Sequence, residues 1–524
     1  MLQTINKIFI AVLAIGATAC TGDFENINSN PYEPGDLTAD DYALVSQMNN
    51  VASCVMSSDI NTLQFTDALL GGTLGGYYSD ANSGFAESFA RYNPKNDWSR
   101  VFMKSDRIIP TLYANYSQIE AQSENTGNPV PLAIAKIIKV AAMSRVTDCY
   151  GPIPYSAIGT PTDLAVPYDS QEAVYDSFFE DLTDATATLQ ENIGNRLSSN
   201  SDYVYSGDPA KWILFGNSLK LRLAMRISFV APEKARKMAE EAVAGGVIEQ
   251  NSDNASWKYF ASMTNPLYTA VNYNNDGSQT GGDTHAAADI ICYMNGYSDP
   301  RREAYFMPST FDGIEYIGLR RGWQEFDRTW GFNFSGVNVG PNDPLIWMTA
   351  SEVAFLRAEG SAIHNFNMGG QAEDFYNRGI ELSFEQWGAA GAEAYLADDH
   401  STPQAYADPT GKNPYNGSLS SITIKWNNNA PAAEKLERII TQKWIALFFN
   451  GNEAWAEYRR TGYPQLIPVA YNGSGGVVNS ATGPQRMPYP QEEYTNNAAN
   501  VAEAVNTLLG GPDNMATKVW WARY

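Results

Sequence analysis

The sequence predicts a mostly α-helical protein whose helices pair in the manner of tetratricopeptide hairpins, separated by long irregular loop insertions. Two observations carry this. Apolar residues recur at three-and-four spacing between recognisable caps and glycine stops, and the intervening stretches are rich in Gly, Asn, Ser, Tyr and Trp. No fixed period near ~34 residues is visible, so the pairing is predicted without a regular repeat.

At the N-terminus, Lys7 precedes an apolar run, Ile8 to Ala14, that is too short to span a bilayer, and small residues lead to Cys20. This is the pattern of a bacterial lipoprotein signal peptide over residues 1–19, with Cys20 as the lipidated first residue of the mature chain. A plain secretory signal is the alternative reading. Asn30-Pro31 and Glu33-Pro34-Gly35 then mark residues 20–37 as an extended tether, and residues 38–524 are expected to form one domain.

Within that domain the first clear amphipathic helix is Ala133 to Val146. Asp169 with Glu172 predicts a capped helix whose buried stripe is Tyr175, Phe178, Phe179, Leu182 and Leu189. Asp208 before Pro209 opens the next, with Trp212, Phe215, Leu219 and Leu223 on one face. Pro232 starts a third that Gly245-Gly246 stops. Further helices are predicted at Thr349 to His364 and Glu434 to Phe449, the latter burying Leu436, Ile439, Ile440, Trp444, Leu447 and Phe448. The insertions are Gly71 to Trp98, Asn251 to Gly340 and Ala390 to Pro431; segments this long usually carry function.

A net charge of −23 excludes a phosphate-tracking surface, so no nucleic acid partner is expected. Cys54, Cys149 and Cys292 form no Cys-x-x-Cys pair and allow at most one disulfide. His285, His364 and His400 are far apart, with no His-Glu-x-x-His pattern. Gly71-Gly72-Thr73-Leu74-Gly75-Gly76 lacks a dinucleotide fingerprint and reads as a flexible loop. Glu453 and Glu457 share a helix face and read as a solvated face or as partners of Arg459 and Arg460 rather than a catalytic pair. No cofactor is implied. Asn272, Asn274, Asp276 and Asp283 have part of a calcium-loop spacing, but position 1 lacks Asp and position 12 lacks Glu; a plain polar loop is the favoured reading.

What remains is loop aromatics: Tyr77, Tyr78, Phe85, Tyr92 and Trp98 in one insertion, Tyr268, Tyr273, Trp323 and Trp330 in another. Sugar rings present C–H faces that stack on such planes. The competing reading is that these rings close small loop cores.

Several segments resemble the SusD/RagB family of outer-membrane nutrient-binding lipoproteins, in its SusD-like branch. They are Asn28-Ser29-Asn30-Pro31, Asp148 to Tyr155 (DCYGPIPY), Asp299-Pro300-Arg301, Met348 to Val353 with Arg357-Ala358-Glu359, and Gln442-Lys443-Trp444. Asn452 to Trp455, Arg459 to Gly462, Arg486 to Pro490 and Lys518 to Trp521 follow in order. These motifs read as fold-holding: Asp299 suits a turn, and Arg357 is placed to satisfy Glu359 or Glu352. The resemblance implies a scaffold of four tetratricopeptide-like helix pairs, a partner SusC-like TonB-dependent transporter in the outer membrane, and a lid role without bond breaking. It also implies a shallow site built from insertion aromatics, with no binding residue carried over by motif. Oligosaccharide capture is the leading expectation. Peptide capture, a helical protein-interaction scaffold and, last, a surface hydrolase stay open.

Overall fold

A computed structural model describes residues 39–96, 98, 102–103, 108–159, 165–258, 264–275, 281–324 and 328–524. The leader, Cys20, the tether and Asp276 lie outside the described residues. Ten longer helices form the scaffold: α1 (Ala39–Ala52), α2 (Ile108–Thr126), α3 (Val130–Tyr150), α4 (Gln171–Glu191), α5 (Pro209–Arg226), α6 (Pro232–Ala244), α7 (Ala350–His364), α8 (Ala372–Trp387), α9 (Ala432–Ala446) and α10 (Gly451–Thr461). Each of α1 with α2, α3 with α4, α5 with α6 and α7 with α8 packs side by side, and α4 on α5 joins successive pairs. Buried apolar residues from Leu44 to Trp521 make one contiguous core. Among the described residues, no helix is long and apolar enough to cross a membrane.

Local chemistry accounts for the boundaries. Asp208 caps α5, accepting from Ala210 N, with Pro209 as the first helical residue, and Thr349 caps α7. At α4 the cap is Ser170, which accepts from Ala173 N, one residue later than the predicted Asp169. Asp169 instead accepts from the backbone of Tyr155 and Ser156, because its own carbonyl and N–H pair with Ile153.

The glycine cluster departs from expectation. Gln64–Gly72 is a wide helical turn, and Gly71 to Gly76 are buried rather than a flexible loop. A Cβ on Gly75 would lie 2.6 Å from the Gly451 carbonyl, and one on Gly451 would lie 2.3 Å from the Gly71 carbonyl carbon. The missing side chains let the start of α10 press backbone to backbone on this turn.

Glu453 and Glu457 are also inside, not on a solvated face. Arg226 donates to Glu457 at 2.8 Å and to Glu453 at 2.5 Å, while Arg460 pairs with Glu457. Arg459 takes no part in that pairing; its guanidinium lies 3.6 Å from the Trp455 ring centroid and donates to the Asp148 and Gln485 carbonyls. Glu352 is held by Arg222, and Arg357 reaches Glu249 instead of Glu352 or Glu359. Cys54, Cys149 and Cys292 are buried free thiols.

Candidate functional site

The first two insertions meet. Strand β1 (Tyr78–Asp80) pairs antiparallel with β3 (Thr284–Ala286), in the register Tyr78 opposite Ala286 and Asp80 opposite Thr284. The contact continues past the strands, Ala81 N donating to Asp283 O at 2.7 Å and Ala287 N to Tyr77 O at 2.8 Å. Trp323 locks the join, its indole N–H donating to the Asp80 carbonyl while its own carbonyl accepts from Arg91. The other small sheet, β2 (Ala255–Trp257) with β4 (Leu345–Met348), ties the second insertion back to the start of α7.

Two more segments close on the same place. Ala470 N donates to Arg321 O at 2.8 Å and Gly473 N to Arg91 O at 2.7 Å. From the third insertion, the Asn413 and Pro414 carbonyls accept from Arg320, whose guanidinium also lies 5.3 Å from the Tyr415 ring.

Trp330 sits over this join. It is half-buried, with its ring centroid 4.9 Å from that of the buried Trp323. Lys412 Nζ lies 5.6 Å from its ring. Tyr273 is 52% exposed, on the loop whose carbonyl at Tyr273 accepts from Asp283 N at 2.9 Å. Tyr471 is 39% exposed, 5.8 Å from the Arg91 guanidinium. Trp330, carried on Trp323 with Lys412 beside it, offers a ring face able to stack a sugar ring and hydrogen-bond its substituents, and Tyr273, Tyr415 and Tyr471 are further half-buried or exposed rings on the loops that bond into this join.

Of the eight aromatics expected to bind, five are buried: Tyr77, Tyr78, Tyr92, Trp98 and Trp323. Tyr77 stacks on Trp444 at 5.6 Å and donates to its carbonyl; Tyr78 meets Phe448 edge-on at 6.1 Å. Trp98 is boxed by Phe65, Phe85 and Phe89, each within 5.3 Å of its ring centroid. Tyr92 takes a positive φ of 59° in a tight turn. Their faces are taken because the insertions fold back onto the helical core and extend it, Tyr77 and Tyr78 meeting Trp444 and Phe448. Tyr268 (half-buried), Tyr273 and Trp330 keep exposed surface. Tyr415, Tyr471, Arg320 and Lys412 were not singled out from sequence; Tyr415 and Lys412 lay inside a flagged insertion, whereas the loop of Tyr471 gave no signal.

Beneath the surface lies a polar knot. Asp283 Oδ2 accepts from Asn82 Nδ2 and, at 2.7 Å, from Asn274 Nδ2. Burial pushes the neighbouring Asp80 carboxyl up to about 7, opposed by Arg91 and reinforced by Asp283. Burial also pulls His285 down to about 4, so its imidazole is neutral. Asn272 Nδ2 donates to the Tyr268 carbonyl at 2.9 Å. Asn272 and Asn274 thus spend N–H donors on the Tyr268 carbonyl and Asp283, and no group of three His, Cys, Asp or Glu able to hold a metal occurs among the described residues.

Among proteins with curated descriptions, none matches this chain. Solved structures do. A SusD homologue from Bacteroides uniformis is 58% identical, with a TM-score of 0.89 over 92% of this chain and 100% of its own. One from Bacteroides thetaiotaomicron is 41% identical, with a TM-score of 0.84 over 92% of this chain and 99% of its own. A chitin-binding SusD homologue from Flavobacterium johnsoniae is 35% identical, with a TM-score of 0.85 over 91% of this chain and 98% of its own. Residues 26–522 match the family model described as SusD and RagB outer membrane lipoprotein, and with these relatives the chain belongs to the SusD-like family.

Proposed function

We propose that this protein is a cell-surface glycan-binding lipoprotein, anchored through Cys20, that acts as a lid on a SusC-like TonB-dependent transporter and delivers oligosaccharide without breaking a bond. The observation that carries the reading is the meeting of separate insertions beneath Trp330, whose ring keeps exposed surface beside Lys412, while Tyr273, Tyr415 and Tyr471 are exposed or half-buried on loops that bond into the same join. Rings offered at a surface favour a stacked sugar, since an extended peptide needs a sheet edge or a row of backbone donors. Family membership supports the transporter partner, and the chitin-binding relative makes β-linked N-acetylhexosamine chains the first ligands to try. Shallow stacking buries little of a ligand, so affinity per site is expected to be modest.

Electrophoresis through gels loaded with plant, host and microbial polysaccharides, beside a peptide pull-down, tests the reading. Retardation by a glycan is the expected result; capture of peptides with no glycan retarding the protein overturns it.

A further inference from the structure

Away from the platform the chain holds a cleft of about 620 Å³, inside the range of small-ligand sites. None of Tyr273, Trp330, Tyr415 or Tyr471 lines it. Its walls come from the turn before α5, from β2 and β4, and from the end of α8 with the turn between α9 and α10.

The aromatic wall is Trp387 and Phe449, both half-buried, with ring centroids 5.7 Å apart. Phe449 has φ +79°, a conformation that glycine adopts freely and a bulky side chain rarely does. The turn is pinned on both sides, by Asn450 N donating to Leu447 O at 2.7 Å and by the jammed contact of Gly451 with Gly71. Glycine at 449 would relieve the backbone; phenylalanine instead places a partly exposed ring on the cleft wall. Strain kept at a pocket wall points to a use for the side chain.

The cleft is also lined by carboxamides. Asn254 donates to Asn251 Oδ1 at 3.2 Å and to Gln386 Oε1 at 3.5 Å. Of the charges on the lining, Arg196 pairs with Asp208 at 2.9 Å, and Lys211 is neutralised from outside the lining by Asp253 at 3.2 Å. Lys258 and Asp343 add one charge of each sign. The cleft therefore offers ring faces and amide groups with no net charge, which suits a neutral ligand bearing hydroxyl or acetamido groups.

We propose that this cleft is a second glycan site, taking one end or a short stretch of a neutral oligosaccharide stacked on Trp387 and Phe449. It rests on the glycan-binding reading above only for the choice of probes. Two sites on one chain raise the effective concentration of a long polymer at the second once the first is filled.

The test is calorimetric titration of the purified protein with diacetylchitobiose, cellobiose, maltose and mannobiose, repeated on Trp330→Ala, Phe449→Gly and Gln386→Ala. Phe449→Gly fits its backbone angle and should fold; Gln386→Ala is the second probe, on the carboxamides of the same cleft. A class of sites that survives Trp330→Ala and weakens at least about tenfold in both cleft variants is the expected result, one stacking partner or one amide contact being lost in each. Should those be the only sites found, the cleft stands and the platform reading fails. Binding that Trp330→Ala abolishes, or that both cleft variants leave unchanged, overturns the cleft while leaving the platform standing. No saturable binding of any of the four sugars overturns the cleft as well.

Discussion

Trp330 rests on Trp323 with ring centroids 4.9 Å apart and planes inclined by 33°, yet only Trp330 keeps exposed surface, Trp323 being 3% exposed. The two tryptophans therefore divide the work. Trp323 is a structural member that joins the insertions through the Asp80 carbonyl, and Trp330 is the face it supports.

From this division, Trp323→Ala should destabilise the protein by about 3–5 kcal/mol, the range for deleting a buried tryptophan. Trp330→Ala should cost only about 1 kcal/mol, as for an average substitution. Urea unfolding of the two variants beside the wild type checks the difference; equal losses would mean that Trp330 is as deeply structural as its partner.

Asp80 gives a pH signature. Its carboxyl titrates near 7 in the folded chain, well above its ordinary value, because burial disfavours the charge and Asp283 adds to this against Arg91. Between about pH 4 and 7 the folded chain holds a proton that the unfolded chain has released, so stability falls as pH rises through that window. Asp80→Asn mimics the protonated acid and removes the slope. The variant should be more stable than wild type at about pH 8 and close to it at about pH 4, read from unfolding midpoints at the two pH values.

The buried ion pairs predict the opposite limb. Arg460 donates both terminal nitrogens to Glu359, at 2.5 and 2.7 Å, with neither side chain exposed. Burial alone would raise the Glu359 carboxyl, but Arg460 outweighs it and holds the group below the usual carboxylate range. Such a group contributes stability above its unfolded pKa and loses it as pH falls through the lower folded value, so the network should fail in strong acid. Glu359→Gln leaves Arg460 with only Glu457 and should cost about 3–5 kcal/mol at neutral pH. A loss under ~1 kcal/mol in chemical unfolding would contradict this account of the scaffold.

The three thiols give a redox prediction. Burial pushes Cys54 and Cys149 up to about 12 and Cys292 upward as well, so none is a thiolate at neutral pH. An aromatic disulfide reagent should leave all three untouched in the folded protein and react with them in denaturant. Rapid labelling of the native chain would show that the packing over one of these thiols opens readily.

The helices were legible because their signals are local. Asp208-Pro209 marks a cap, and the stripe from Tyr175 to Leu189 is buried as its spacing requires. The candidate site was legible only as a set of insertions. A run such as Tyr77-Tyr78 looks alike whether it faces solvent or Phe448, since which face is covered depends on segments hundreds of residues away. Gly71 and Gly75 carry the same lesson: their use is a contact with Gly451 that no local pattern announces. Glu453 and Glu457 lie at the spacing of a solvated helix face, and only the packing of α5 and α9 against them shows where their charge is answered.

The central claim is that sugar binds over Trp330. Calorimetric titration of the purified protein with the glycan that retards it, repeated on Trp330→Ala and Tyr273→Ala with Tyr78→Phe as a core control, tests it most directly. The account predicts at least about tenfold weaker binding in Trp330→Ala, a smaller loss in Tyr273→Ala and none in Tyr78→Phe, all three remaining folded. Unchanged affinity in both Trp330→Ala and Tyr273→Ala would contradict it.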